Sequence, residues 1–154
     1  MTSDTLLAGE AERDINIEAM LSFSMNHIVH RYNHMAQERL RSVGVSILQM
    51  RVVLSLKAHG QLSVGDLCRY AIAEQPTMSR ALDRMENQRI VRRHADDTDS
   101  RVRLVTLTGP GHALFDRIHP EILRANARMT EGLSPEERTI LQSGLAKVLA
   151  NLER

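Results

Sequence analysis

The chain has little of what most functional classes require. Of its 154 residues one is cysteine and none is tryptophan, and aromatic residues make up 3%. The lone Cys68 excludes an intrachain disulfide and suits a reducing compartment. No run approaches the roughly eighteen apolar residues of a membrane-spanning helix. The acidic stretch from Met1 to Glu18 has the wrong sign for the leader of a signal peptide, so a cytoplasmic location and no membrane partner are expected. There is no His-Glu-x-x-His, no Gly-x-Ser-x-Gly and no Walker loop, and Gly109-Pro110-Gly111 lacks the third glycine of a dinucleotide fingerprint. An enzyme is therefore not expected, and no cofactor is implied.

What remains is an ordinary globular composition, 42% apolar and 25% charged, which argues against a disordered chain. The length suits one domain, or one domain with a dimerisation extension. A net charge of +1 expresses no preference for an anionic partner, so the distribution has to decide. Residues 1 to 18 carry Asp4, Glu10, Glu12, Asp14 and Glu18 against Arg13, whereas residues 75 to 103 carry seven arginines against five acids. Eighteen of the twenty basic residues are arginine. Arginine has a flat, weakly hydrated head that enters a narrow DNA groove at lower desolvation cost than lysine.

Apolar periodicity divides the chain into helices with a short β interruption. From about Ala11 to Arg41 there is no proline or glycine, and Ile17, Leu21, Met25, Ile28, Tyr32 and Met35 recur at helical steps, which predicts one long amphipathic helix ended by Gly44. Ser46 and Gln49 form a capping box for a second helix that stops near Gly60. Ser63 and Asp66 start a short third helix, and Pro76, a good first-turn residue, opens a fourth that runs to about Gln88. Ile90-Val91 and Val102 to Leu107 read as two β segments flanking the charged tip His94 to Ser100. Leu114, Ile118, Ile122, Ala125 and Met129 mark another helix, which Pro120 is expected to kink rather than stop. Ser134, Pro135 and Glu137 open the last helix, with Leu141, Leu145, Val148 and Leu152 spaced as a coiled-coil seam. Such a seam needs a partner, and a second copy is the commonest one. Packing of this helix on the first helix of the same chain is the alternative.

Two short helices joined by a tight turn and followed by a basic hairpin are the parts that place a helix in the major groove and a ribbon over the minor groove of duplex DNA. Gln75, Thr77, Ser79 and Arg80 lie in or just before the first turn of the second of these helices, where side chains meet base edges. Met78, Leu82 and Met85 occupy the opposite arc, and Arg84 and Thr77 are placed for phosphate. An ordinary capped surface helix is the competing reading of this segment in isolation.

The run Leu54-Ser-Leu56, His59-Gly60, Leu62-Ser-Val64, Asp66-Leu67, Thr77-Met-Ser-Arg80-Ala-Leu-Asp-Arg84-Met-Glu86, Ile90-Val91, Arg93, Asp99-Ser-Arg101 and Leu107-Thr108 to Gly111 resembles the MarR family of regulators in order and spacing. The resemblance implies a mainly α fold with a small β-hairpin wing. It comprises an N-terminal dimerisation helix over 1–45, a winged helix-turn-helix lobe over 46–108 and C-terminal dimerisation helices over 109–154. It further implies a homodimer on a near-palindromic double-stranded operator, acting as a repressor released by a small aromatic or anionic effector. Arg101 and Arg103 of the wing would enter the minor groove, with Asp99 orienting Arg101. The family usually has a glycine where this chain has Arg89. A left-handed arginine there is strained by roughly 1 kcal/mol, which a phosphate contact would offset.

Other signals are weaker. His27, His30 and His34 share one helical face, but no cysteine or Glu-x-x-His run completes a metal-ligand set. His30, His34 and Arg51 are the candidates for contact with an effector. Cys68 beside Leu67 reads as a small buried hydrophobe. Against the DNA-binding regulator stand two alternatives: a dimeric adaptor that has lost DNA binding, and a metal-dependent helical protein.

Overall fold

The computed structural model describes residues 16–99 and 101–153, and the chain divides between His34 and Met35 into two compact units. In the first unit, Asn16 caps a 3-10 turn, Ile17–Ala19, its side-chain oxygen accepting from the Ala19 amide at 3.2 Å. Met20 is extended, and α1 (Leu21–Arg41) starts after it. This corrects the expected single helix from Ala11, whose first residues lie outside the described ones. A short polar side chain that bonds its own backbone offers the chain a local alternative to helix.

In the second unit, Gly44 at φ 75° ends the loop after α1, and α2 (Ile47–His59) opens on the anticipated capping box. The Gln49 amide donates to Ser46 Oγ at 3.2 Å, and the Ser46 amide donates to Gln49 Oε1 at 3.0 Å. Strand β1 (Gln61–Ser63) leads into α3 (Val64–Ala71), α4 (Gln75–Asn87), strands β2 (Val91–Ala95) and β3 (Arg103–Leu107), α5 (Gly109–Met129) and α6 (Pro135–Leu152). Three antiparallel strands lie in the order β1-β3-β2, with Leu62 opposite Val105 and Arg93 opposite Val105 on the other side. Strand β1 is an addition to the two expected segments. Three residues are too few to display alternation, and their hydrogen-bond partners lie some forty positions away.

The core is continuous from α2 to α5. Val52, Val53 and Leu56 of α2 meet Leu67 of α3, Met78, Leu82 and Met85 of α4, Val91, Val105 and Ile118, all essentially inaccessible. Helix α5 continues through Pro120 without being stopped, and α6 begins on the expected Ser134–Glu137 capping box. No residue of α6 is buried. Among the described residues no helix is long and apolar enough to cross a membrane.

Candidate nucleic-acid interface

Helix α4 is anchored on one side only. Met78, Ala81, Leu82 and Met85 recur at three- and four-residue steps and are buried, which forces Gln75, Thr77, Ser79, Arg80 and Arg84 to the outside, where all five are exposed. Pro76 presets the first turn, and Arg80 Nε donates to its carbonyl at 3.2 Å, so this guanidinium lies along the exposed start of the helix.

The wing is organised by two aspartates. Asp96 Oδ1 accepts from the amides of Thr98 at 2.7 Å and Asp99 at 3.0 Å and from the Thr98 hydroxyl, and the Asp96 amide closes the loop on the Val102 carbonyl at 3.0 Å. Asp99 in turn takes the Arg101 amide at 3.0 Å, its Nε at 3.1 Å and its Nη2 at 3.3 Å. The Thr98 hydroxyl holds the Asp96 carboxyl below its ordinary range, and the Arg101 guanidinium does the same for Asp99. The Arg101 side chain nevertheless remains 90% exposed. An ion pair so open to water adds little stability, but it restricts a side chain that otherwise has about 2 kcal/mol of rotamer entropy to lose on binding.

These two parts meet. Gln75 and Ser79 of α4, Arg101 and Arg103 of the wing and Ser63 and Gly65 at the start of α3 line one open groove of about 400 Å³. Among the described residues its charged lining groups are the two arginines. The groove therefore offers hydrogen-bonding side chains from a helix start beside a cationic ribbon.

A clamp that sequence reasoning missed fixes the angle between helix and wing. Arg93 of β2 reaches Asp83 at 2.7 Å and Glu86 at 2.5 Å through Nη2 and Glu86 at 2.9 Å through Nε, while its amide donates to Glu86 Oε1 at 3.0 Å. Hydrogen bonds from the Arg93 side chain hold the Glu86 carboxyl below its usual range. The three residues all lie in the motif run, but separations of seven and ten across a turn match no helical pairing rule.

Arg89 adopts the left-handed conformation at φ 57°. It occupies the turn after α4, with the Ile90 amide donating to the Met85 carbonyl and the Arg89 amide to the Glu86 carbonyl, both at 2.8 Å, the pattern of a Schellman end in which glycine is usual. The Thr108 hydroxyl faces the Arg89 and Ile90 carbonyls, and its backbone amide donates to the Ile90 carbonyl at 3.1 Å. A Cβ on Gly111 would stand 2.1 Å from the Ile90 oxygen, so α5 approaches this turn as only glycine permits. Ile72 is a second left-handed residue, at φ 55°, in the turn before α4, and it is 76% exposed. Nothing in the sequence pointed to it.

The remaining candidates are scattered. Arg51 Nη1 donates to the Ala71 carbonyl at 3.3 Å, joining α2 to α3. His30 and His34, with His27 and Arg31, line a hollow on α1 within the first unit. Among the described residues no three His, Cys, Asp or Glu are grouped to hold a metal. Cys68 is half-buried, and burial, followed by the charge of Glu74, pushes its thiol pKa up, which opposes thiolate chemistry. On α6, Leu141, Leu145 and Leu152 are exposed and Val148 is half-buried; Ile140 and Leu149, outside the expected seam, are exposed as well.

Comparison with known proteins bears on this arrangement. The MarR family model matches residues 43–102. The HTH-type transcriptional regulator YfiV of Bacillus subtilis (strain 168) is 31% identical over 109 residues, which make up 71% of this chain and 68% of YfiV. A MarR-family transcriptional regulator from Silicibacter pomeroyi has a TM-score of 0.81 at 37% identity, with 90% of this chain and 93% of that one covered. A mutant MarR from E. coli complexed with operator DNA shares the fold, with a TM-score of 0.77 at 23% identity over 88% of this chain and 99% of that one. With its exposed reader helix, its wing and these relatives, the chain belongs to the MarR family of winged helix-turn-helix transcriptional regulators, which are not enzymes.

Proposed function

We propose that this DNA-binding regulator acts as a homodimeric repressor on a near-palindromic operator and leaves it when a small aromatic or anionic effector binds. In this reading α4 enters the major groove with Gln75, Thr77, Ser79 and Arg80 at base edges, while Arg84 and Arg89 meet phosphates. Arg101 and Arg103 follow the minor groove, with Asp99 aiming Arg101. The observation that carries it is the groove shared by Gln75, Ser79, Arg101 and Arg103, in which reader and wing face the same open space. That a related fold has been solved in complex with operator DNA supports duplex DNA as the partner. The uncovered apolar residues of α6 support the dimer, since an exposed row of leucines marks an association surface. His30, His34 and Arg51 stay the sequence-based candidates for effector contact.

Selection of binding sites from random duplex DNA by the purified chain tests the proposal. A near-palindrome with half-sites about one helical turn apart is expected. Absence of any enriched sequence would favour the adaptor reading instead.

A further inference from the structure

We infer that Ile72, in the turn leading into the reader helix, is a further specificity-determining residue, whose side chain packs on the C5-methyl group of a thymine in each half-site. The inference rests on the DNA reading proposed above and deepens it, since the base-reading candidates named there begin at Gln75.

Ile72 is out of place by ordinary conformational chemistry. It caps the end of α3 at φ 55° and ψ 62°, its amide donating to the Cys68 carbonyl, in a left-handed turn where glycine or asparagine is usual. Branching at Cβ makes that conformation costly. The chain has glycine at positions 44 and 60, where φ is 75° and 77°. Burial does not offset the cost, because Ile72 is 76% exposed and no large apolar side chain among the described residues of the lobe is more so. Among the described residues, the two left-handed positions without glycine are Ile72 and Arg89, and they bracket α4, one at each end. Both are exposed. Strained backbone that no internal packing offsets marks a side chain used outside the fold.

Charge decides what Ile72 meets. A docked reader helix puts its first residues at base edges, and the three residues from Ile72 to Gln75 span at most about 10 Å, so the turn reaches the duplex with the helix start. Residues 70–79 contain no lysine or arginine. Their one charged side chain is Glu74, which is exposed and does not cap the helix. A carboxylate against the phosphate backbone is repelled, whereas in the major groove it faces the exocyclic amino groups of cytosine and adenine. The turn therefore faces bases rather than phosphates. The apolar group on major-groove base edges is the thymine methyl, and it is the partner that an uncharged, branched side chain selects.

Replacing thymine by deoxyuridine removes that methyl group and nothing else, so it tests the contact on the parent protein itself. Operators are first selected from random duplex DNA by the full chain, and deoxyuridine is then placed at one thymine of the half-site at a time, in both half-sites. At one position the parent is expected to bind at least threefold more weakly. In Ile72→Gly this loss is expected to vanish, while losses at other thymines and the salt dependence of binding stay as they were. The variant is expected to unfold at a urea concentration no lower than the parent's, because an exposed side chain is removed and the left-handed strain relieved. A lower urea midpoint would assign Ile72 to the fold and overturn the contact. So would a half-site without thymine, deoxyuridine losses that are absent or that all persist in Ile72→Gly, or a uniform loss of affinity for every duplex in that variant. Selection keeps the two readings apart: no enriched sequence rejects the DNA reading and this contact with it, whereas an enriched near-palindrome without an Ile72-dependent loss rejects the contact alone.

Discussion

The reading lobe and helix α6 start from the same local chemistry and end in opposite states. Helices α2 and α6 both open on a capping box, and α4 and α6 both carry proline in the first turn. In the lobe, Leu56, Met78, Leu82 and Met85 are inaccessible, whereas on α6 Ile140 is 71% exposed and Leu152 77%. Capping sets where a helix begins. It does not supply a surface to bury against, and each large apolar side chain left in water forgoes about 1.5–3 kcal/mol. The lobe is complete within one chain, whereas the apolar side chains of α6 stay uncovered within it, which is the feature that the proposed dimer rests on.

That contrast predicts opposite outcomes for substitutions in the two regions. The largest effect is expected from the double substitution Leu141→Asp with Leu145→Asp, which should weaken self-association at least a hundredfold, about 3 kcal/mol, without altering helix content. Sedimentation at several concentrations reads this, and a variant that stays dimeric would show that the seam lies elsewhere. Gly111→Ala should do the reverse, costing the lobe about 2–3 kcal/mol in urea unfolding as α5 is pushed off the Ile90 carbonyl. A loss under about 0.5 kcal/mol would mean that the turn relaxes freely.

Arg101→Ala should leave both fold and association intact and cost about 1–3 kcal/mol of operator affinity, with a flatter salt dependence. An unchanged salt titration would remove the wing from the reading surface. Arg89→Gly should raise stability by about 1 kcal/mol by relieving the left-handed strain while weakening DNA binding. Tighter or equal DNA binding would show that this arginine is not kept for a phosphate.

The smallest effect concerns the Arg93 clamp. Because the folded-state carboxyl of Glu86 lies below its unfolded value, its contribution is present above the ordinary glutamate pKa, about 4.3, and fades as pH falls through the folded-state value. Glu86→Gln should therefore be less stable than the parent by under about 1 kcal/mol at neutral pH, since the pair is partly solvated, and the two should converge in acid. A difference that persists at pH 2 would assign the effect to packing.

Much of this was legible in the residues before any coordinate. The capping serines 46, 63 and 134, the turn glycines 44 and 60, and the burial of Met78, Leu82 and Met85 follow from spacing alone. The long first helix was overextended because Asn16 is a weak interruption in a periodic run, and its capping of Ile17–Ala19 competes with helix only when it bonds locally. The reader face was visible because its period is local, whereas the Asp99–Arg101 pair was an expectation of the family resemblance, and the folded wing forms it.

What required the folded chain lies at long separation. Strand β1 exists because Gln61–Ser63 finds β3, the clamp because β2 swings Arg93 over Asp83 and Glu86, and the groove of Gln75 and Arg101 because the wing comes to lie beside the starts of α3 and α4. The physical division is one of range. Caps, turns and amphipathic faces are settled among neighbours by backbone hydrogen bonding and helical period, so the order of residues encodes them directly. Cross-strand register, charge clamps and cavities arise when a shared apolar core brings remote segments together, and no local period carries that information.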